Sequence, residues 1–354
     1  MQPPGPVKST ALIAALAMLA ILTAGCGGEG GATETAAPAL SAPAEGSGEP
    51  FTVAVAADIG MEAAGRATLR EIGAVQADLN IALGDLSYGG PASAPEFCEL
   101  VDSSVGEGAP VAVLAGNHEE DSGEDGPIAS FAECLPDRVG AVGEYGAQYY
   151  FDVGTLARFV MISPDLTIEG QHYYYGTAEG GDTPQLAWLR AAIEGAREAE
   201  IPWVIVGMHK PCISVGEYYC DVYQDLFTTL VEERVDLVVS GHDHSYQRSV
   251  QIATGPGCAE VTVDDFDRSC VVDADDALRE GRGPVFAITG AGGAEQYRVY
   301  PDDPEAGYFA TWMGRNTPGN RSGFLELGIT PERLVARFVG STPGSFSDRF
   351  SITR

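Results

Sequence analysis

Basic residues are scarce in this sequence. Its 354 residues include 20 Lys and Arg against 51 Asp and Glu, which gives a formal net charge of −31 at pH 7. Because contacts to phosphate backbones rely on cationic side chains, this deficit argues against nucleic acid as a partner. An anionic substrate therefore needs locally concentrated positive charge, which bound metal ions could supply.

Long apolar runs are also missing beyond the start of the chain. The run 11–22 follows a single charged residue, Lys8, and is too short to span about 30 Å of hydrocarbon as a helix. Residues 1–25 are therefore predicted to be a signal peptide. Residues 26–50 are rich in Gly, Ala, Pro and Ser without an apolar period, which predicts a flexible linker.

The apolar run ends in LTAGC, which resembles the lipobox of bacterial lipoproteins, with Cys26 as the site of lipid attachment. Thr23 stands where that motif usually has leucine, so an ordinary secretory signal is the alternative. On either interpretation the chain is predicted to be exported, as an envelope lipoprotein or a secreted protein. A lipid on Cys26 would be its anchor to the membrane.

No CxxC pair occurs, which disfavours a cysteine metal site. Besides Cys26 the chain has six cysteines, and outside the cytosol an even number favours disulfide bonds of open connectivity. Proximity along the chain suggests the pairs Cys98–Cys134, Cys212–Cys220 and Cys258–Cys270.

From Phe51 onward, short β-rich runs alternate with helical patterns, which predicts a single layered α/β domain over residues 51–354. Helices are predicted at about 62–75, 95–104, 184–200 and 222–233. Thr183 before the third helix is predicted to be its N-cap, with Pro184 in the first turn. Residues 148–153 and 158–163 predict a β-hairpin.

Polar residues follow five of the predicted strands at the point where each strand ends. They are Asp58, Asp85, Asn117, His209 and His242. The carboxyl ends of strands in an α/β sheet are where such folds place their ligand crevice. Taken singly, each residue is more often a turn or capping residue.

Histidine is scarce as well, and its distribution decides between these interpretations. Only five histidines occur, and four of them lie at these strand ends: His118, His209, His242 and His244. A random scatter of histidines would not produce this grouping, which predicts a metal site.

In chain order, the segments ADIG, GDLSY, AGNHE, VGMH and GHDH resemble the five blocks of the calcineurin-like metallophosphoesterases. Most of these enzymes have D-x-H in the first block, but here Gly60 occupies the place of the histidine. Tyr88, three residues after Asp85, stands where the purple acid phosphatase branch has a tyrosinate ligand. The resemblance covers residues 51–250 and implies a four-layer sandwich of two mixed sheets flanked by helices.

The resemblance also implies two sets of metal ligands that share Asp85. The first metal would be held by Asp58, Asp85, Tyr88 and His244, and the second by Asp85, Asn117, His209 and His242. Carboxylate and phenolate oxygens suit Fe(III), whereas imidazoles and an amide oxygen suit Fe(II), Zn or Mn. The implied reaction is the hydrolysis of phosphomonoesters by attack of a metal-activated hydroxide on phosphorus.

His118 belongs to neither ligand set. It is expected to hydrogen-bond the phosphoryl oxygen and to protonate the leaving group as a general acid, with a purely orienting role as the alternative. Glu119 is expected to support the site by fixing the His118 ring. Plant members of the branch have further histidines beyond VGMH, where this chain has Lys210, Tyr218 and Tyr219.

Two other functions remain open from the sequence. A phosphodiesterase or nucleotide hydrolase could use the same two metals on a different substrate. An anchored metal-binding or phosphate-binding lipoprotein without turnover is disfavoured, because His118 is retained although no metal needs it.

Overall fold

The computed structural model describes residues 40–44, 47–218, 220 and 222–354. The predicted signal peptide, the predicted lipidation site Cys26 and most of the predicted linker lie outside the described residues.

Five α-helices occur within the described residues. Four of them agree with the four predicted helices to within about two residues at each end. The short helix α3 was not predicted, because seven residues are too few to establish a helical period. The Thr183 hydroxyl accepts a hydrogen bond from the backbone N–H of Leu186, which confirms the predicted N-cap. The helices are Ala63–Val75 (α1), Ala94–Val105 (α2), Ile128–Cys134 (α3), Pro184–Glu198 (α4) and Gln224–Glu232 (α5).

The β-strands of the described residues are numbered in chain order. The first ten are Phe51–Ala56 (β1), Leu79–Leu83 (β2), Val111–Leu114 (β3), Val142–Glu144 (β4), Gln148–Val153 (β5), Ala157–Ile162 (β6), Thr167–Ile168 (β7), Gln171–His172 (β8), Thr177–Ala178 (β9) and Gly181–Asp182 (β10). The others are Trp203–Met208 (β11), Leu237–Ser240 (β12), Tyr246–Ser249 (β13), Gln251–Ile252 (β14), Val271–Asp273 (β15), Ala277–Arg279 (β16), Val285–Thr289 (β17), Phe309–Met313 (β18), Gly323–Ile329 (β19), Arg333–Gly340 (β20) and Arg349–Thr353 (β21).

Two large mixed sheets organise these strands. The seven-stranded sheet has the order β16-β21-β20-β19-β1-β2-β3, and the eight-stranded sheet has the order β18-β13-β17-β12-β11-β6-β5-β4. In the first sheet β1, β2 and β3 are parallel neighbours. In the second, β6, β11, β12 and β17 are parallel. The predicted hairpin is confirmed as the antiparallel pair β5–β6.

Alternate residues of the buried strands face two different cores. In β1, Val53 and Val55 belong to a core shared by the two sheets, whereas Ala54 and Ala56 belong to one that includes residues of the helices. Leu69 of α1 is part of this second core. Because side chains alternate across a strand, each sheet is covered on both faces. The predicted four-layer sandwich is thereby confirmed as the fold.

The parallel strands determine where the functional residues gather. β1, β2 and β3 lie side by side in one sheet, and β11 and β12 are neighbours in the other. Their carboxyl ends therefore meet at one edge of the sandwich, in the position that α/β folds use for ligands. All five predicted strand-end residues follow these five strands.

Two of the three suggested disulfides are present, Cys98–Cys134 and Cys258–Cys270. Cys212 and Cys220 are free thiols, so the third suggested pair is not formed. Burial, with the adjacent Cys220 side chain, raises the pKa of the Cys212 thiol well above its ordinary value. This disfavours the thiolate that starts disulfide formation.

A short segment of the predicted linker lies on the domain. The backbone of Leu40 bridges to Val153, and the Leu40 carbonyl accepts a hydrogen bond from the N–H of Gly154 at 3.0 Å. Leu40 and Ala42 pack against the core between the sheets because both are apolar. Among the helices of the described residues, none is both long and apolar enough to cross a membrane.

Candidate metal centre

The strand-end loops bring the seven predicted metal ligands together at one edge of the sandwich. Two groups of acidic and histidine side chains have ligand atoms that all lie within 4.8 Å of one another. One group contains Asp58, Asp85 and His244, and the other contains Asp85, His209 and His242. Asp85 belongs to both groups, as a bridging ligand requires. The first of these groups together with Tyr88 is called the first ligand group below. The second of them together with Asn117 is called the second ligand group.

In the first ligand group, three side chains converge on the Tyr88 hydroxyl. This oxygen lies 3.1 Å from Oδ1 of Asp58, 3.1 Å from Oδ2 of Asp85 and 2.8 Å from Nε2 of His244. Asp58 is fully buried and Asp85 is almost so. The group thus presents two carboxylates, a phenol and an imidazole to a common centre.

In the second ligand group, the buried His209 ring is the central element. Its Nε2 lies 3.3 Å from Oδ1 of Asp85 and 3.2 Å from Oδ1 of Asn117. The ring of His242 lies 5.1 Å from the His209 ring, centroid to centroid. This group therefore offers two imidazoles, an amide oxygen and a shared carboxylate.

Backbone carbonyls orient two of the imidazoles. Nδ1 of His209 lies 2.7 Å from the Leu83 carbonyl oxygen, and Nδ1 of His244 lies 2.9 Å from that of Glu295. Because a carbonyl only accepts, Nδ1 carries a hydrogen, and Nε2 is the ring nitrogen that faces the centre. This is the arrangement that histidine ligands of metals commonly show.

Gly60 and Tyr88 complement each other in space. A Cβ atom on Gly60 would lie 3.5 Å from Cδ2 of Tyr88, in van der Waals contact with the tyrosine ring. Gly60 also has a φ of 68°, a conformation that favours glycine. The glycine and the tyrosine are thus neighbours, and the backbone at position 60 disfavours a larger side chain.

The backbone around the site is unusual for residues other than glycine. Asp58, Asp85, Tyr88 and His242 all have positive φ angles, between 49° and 67°. Such conformations are strained for these side chains and concentrate at functional sites. The close approach of Gly116 to Asp85 is a second constraint on the residue type, since a Cβ atom on Gly116 would lie 2.1 Å from Oδ1 of Asp85.

Charge interactions within the second ligand group are strong. Burial alone would lower the pKa of His209, but the Asp85 carboxylate outweighs burial and raises it to about 9. Burial alone would raise the pKa of Asp85, but His209 and His118 hold it well below its ordinary range. The Asp85 carboxylate and the His209 ring thus stabilise each other in the charged form.

The first ligand group resists further negative charge. Burial and the carboxylates of Asp58 and Asp85 raise the pKa of the Tyr88 phenol far above its ordinary value. Burial and Asp85 likewise raise the pKa of Glu119 to about 8. Within the described residues, no lysine or arginine pairs with Asp58 or Asp85. A bound cation would supply the missing positive charge, so the donor set fits a metal ion.

His118 lies beside the ligand groups and is partly open to solvent, with 24% of its side chain exposed. Its backbone N–H donates to Oδ1 of Asp85 at 3.0 Å, and its ring lies 4.5 Å from the Tyr88 ring. Nε2 is 3.8 Å from Oδ2 of Asp85, too far for a hydrogen bond. The ring is thus placed to meet a ligand of the centre.

Glu119 supports the site in a different way from the one expected. Its carboxylate accepts hydrogen bonds from the backbone N–H groups of Asp85, Leu86 and Gly116, at 2.8 to 2.9 Å. It therefore joins the loops after β2 and β3 rather than fixing the His118 ring. The expectation was wrong in this detail because the unpaired N–H donors of two sharp loops take up the buried carboxylate.

Asp125 occupies the position beside His118 that Glu119 was expected to fill. Its Oδ2 lies 3.7 Å from Nδ1 of His118 and accepts the backbone N–H of Tyr88 at 2.6 Å. Its other oxygen accepts the N–H of Gly90 at 2.8 Å. Asp125 was not predicted as a site residue, because it lies in a Gly-rich loop without strand or helix periodicity.

Replacement of Glu119 by Gln tests the link between the two loops. The amide would place a donor against a backbone N–H, so we expect a loss of about 1–3 kcal/mol in the free energy of unfolding and weaker metal binding. Thermal denaturation and metal analysis measure the two effects. Glu124→Gln, an exposed position in the same loop, is the control. Unchanged stability and metal content in Glu119→Gln would contradict this role.

Comparison with known proteins supports the same interpretation of the site. The family model described as calcineurin-like phosphoesterase matches residues 51–246. The chain is 31% identical over 193 residues to Uncharacterized protein Rv2577 of Mycobacterium tuberculosis, a match that covers 51% of this chain and 35% of that protein. It is 27% identical over 230 residues to Fe(3+)-Zn(2+) purple acid phosphatase 12 of Arabidopsis thaliana, covering 60% and 46%.

Among solved structures, purple acid phosphatase PPD1 from yellow lupin superimposes with a TM-score of 0.62 at 18% identity, covering 86% of this chain and 54% of that one. This similarity concerns the fold alone. The chain spans about a third to a half of the length of the curated relatives named above. Since the family model covers more than half of the chain, the protein belongs to the calcineurin-like phosphoesterase family, and purple acid phosphatases are among its relatives.

Proposed function

We propose that this protein hydrolyses phosphomonoesters at a dinuclear centre that contains Fe(III) and a divalent ion. The observation that carries the proposal is the convergence of Asp58, Asp85 and His244 on the Tyr88 hydroxyl, within 2.8 to 3.1 Å. A phenol in a metal group is what distinguishes the purple acid phosphatase type from members with D-x-H in the first block. The relative in Arabidopsis thaliana is named as an Fe(3+)-Zn(2+) enzyme.

Each ligand group would hold one of the two metal ions. The first would hold Fe(III), since carboxylate and phenolate oxygens are hard ligands, and the second would hold Fe(II), Zn or Mn. When bound, the two cations supply the Lewis acidity that lowers the pKa of water and neutralises the phosphoryl charge. The chain itself has few cations to offer an anionic substrate, with 20 basic residues against 51 acidic ones.

His118 is assigned the role of hydrogen-bonding the phosphoryl group and protonating the leaving group. It borders the ligand groups, keeps part of its ring exposed, and is not a member of either metal group. Its Nδ1 is buried without a hydrogen bond and faces Asp125 at 3.7 Å. Asp125 would thus orient the ring with Nδ1 towards its carboxylate, which leaves Nε2–H as the donor to the substrate.

Export to the cell envelope is part of the proposal. The predicted signal peptide and the cysteine of LTAGC support it. The two disulfides of the fold are consistent with it, since disulfides persist outside the reducing cytosol.

Hydrolysis of p-nitrophenyl phosphate by the purified protein tests the proposed reaction. Asp85→Asn removes the carboxylate shared by both groups, so we expect kcat/KM to fall by more than about a hundredfold, since even the outer partners of metal ligands affect metal affinity by about 10–100-fold. Asp302→Asn, the same change at an exposed position, is the control. Wild-type protein with two metals and no turnover of any phosphoester would refute the proposal.

The same assay separates the competing substrate class. A phosphomonoesterase should turn over p-nitrophenyl phosphate faster than bis-p-nitrophenyl phosphate, and the reverse order would favour a phosphodiesterase on the same site.

The mass of the mature protein, produced from the full chain in a bacterial host, tests the anchor. We expect a chain that begins at Cys26 and carries lipid, and Cys26→Ser should carry none. An unmodified mature chain would contradict lipidation, and an uncleaved chain in the cytosol would contradict export.

A further inference from the structure

Two tyrosines outside the ligand groups lie against the histidines of GHDH. The Tyr218 ring lies 4.0 Å from the His242 ring, and the Tyr297 ring stacks on the His244 ring at 4.0 Å and 9°. The tyrosine rings are 5.7 Å apart. Both are half-buried. They form a connected pair, called the phenol pair below.

Side chains of the ligand groups lie between the phenol pair and His118 along the chain of contacts. On one side, contacts run from His118 through the first ligand group to Tyr297. On the other side, they run from Asn117 through the second ligand group to Tyr218. The phenol pair and His118 therefore contact different side chains of the same ligand groups.

Buried hydrogen bonds hold the phenol pair in place relative to the histidines. Asp243 lies between His242 and His244 in the sequence and is fully buried. Its carboxylate accepts hydrogen bonds from the Ser214 hydroxyl and from backbone N–H groups of the loop that contains Tyr218. The backbone N–H of Tyr297 donates to the His244 carbonyl at 3.0 Å. Positions fixed in this way are typical of residues that bind a ligand with a preset geometry.

Two cations near this rim are engaged by carboxylates. Nζ of Lys210, next to His209, lies 3.0 Å from Oδ2 of Asp165. Arg315 lies 3.3 Å from Glu295 and 3.9 Å from Glu217. An oxyanion on this side of the site would therefore find neutral hydrogen-bond donors close to the ligand groups.

The phenol pair offers two O–H donors to such an oxyanion, since each tyrosine hydroxyl can donate one hydrogen bond. Both rings lie against histidines of the ligand groups. We propose that Tyr218 and Tyr297 form an oxyanion-binding pair that donates hydrogen bonds to the non-bridging oxygens of the phosphoryl group, on the side of the site formed by His242 and His244. This inference rests on the proposed function, because the two metals bring the phosphoryl group to that position.

Calorimetric titration of the metal-loaded protein with inorganic phosphate tests the pair. A hydrogen bond to a charged acceptor is worth about tenfold or more in affinity, so Tyr218→Phe should bind phosphate at least about tenfold more weakly. Tyr297→Phe should show a similar loss, and the double variant should lose less than the two losses combined, because the two hydroxyls act together. Tyr300→Phe, an exposed tyrosine three residues from Tyr297, is the control.

Two further measurements distinguish binding of the phosphoryl group from other roles. Metal content should remain at two ions per chain in Tyr218→Phe, since the phenol pair is not in a ligand group. The fall in kcat/KM should be the same for aryl and alkyl phosphates, because the contact is to the phosphoryl group and not to the leaving group.

Three results would overturn the inference: phosphate affinity unchanged in Tyr218→Phe, loss of metal from that variant, or a fall in kcat/KM that grows as the leaving group becomes poorer. Failure of the proposed function would give a different experimental result. In that case wild-type protein with two metals would hydrolyse no phosphoester, whatever the phosphate titration showed.

Discussion

The burial of two carboxylates, those of Asp58 and Asp85, is the constraint on which the rest of the site depends. Taking such a charge out of water costs several kcal/mol unless hydrogen bonds and opposite charge offset it. Backbone N–H groups of His242 and His118 donate to these carboxylates, and imidazoles lie within 3.3 to 3.4 Å. Among the described residues, no lysine or arginine adds positive charge to these carboxylates. A bound metal pair would supply it, which would link the stability of the site to its chemistry.

The sandwich makes this burial possible by the way its strands end. Parallel strands from two sheets deliver their carboxyl ends to one edge, and each then turns sharply into a loop. The strained φ angles of Asp58, Asp85 and His242 aim the side chains inward instead of along the chain. Glu119 joins two of these loops from behind. The strain persists because the surrounding sheets and the buried hydrogen bonds hold it.

Much of this arrangement could be predicted from the sequence, for a physical reason. Strand-end residues such as Asp85 and His209 follow apolar runs directly, so topology alone places them together. Asp125 and Tyr297 could not be found in this way, because loops without periodicity bring them to the site. The role of Glu119 was mistaken because hydrogen bonds to backbone N–H groups leave no trace in a sequence pattern. Helix α3 was missed because it is too short.

The visible absorption spectrum of the iron-loaded protein tests the central claim most directly, since a tyrosinate bound to Fe(III) absorbs in the visible range by charge transfer. The geometry around the Tyr88 hydroxyl predicts such a band in the wild-type protein. The band should disappear in Tyr88→Phe, in a sample whose iron content is measured alongside. A wild-type protein that binds Fe(III) without the band, or a band that persists in Tyr88→Phe, would contradict the account.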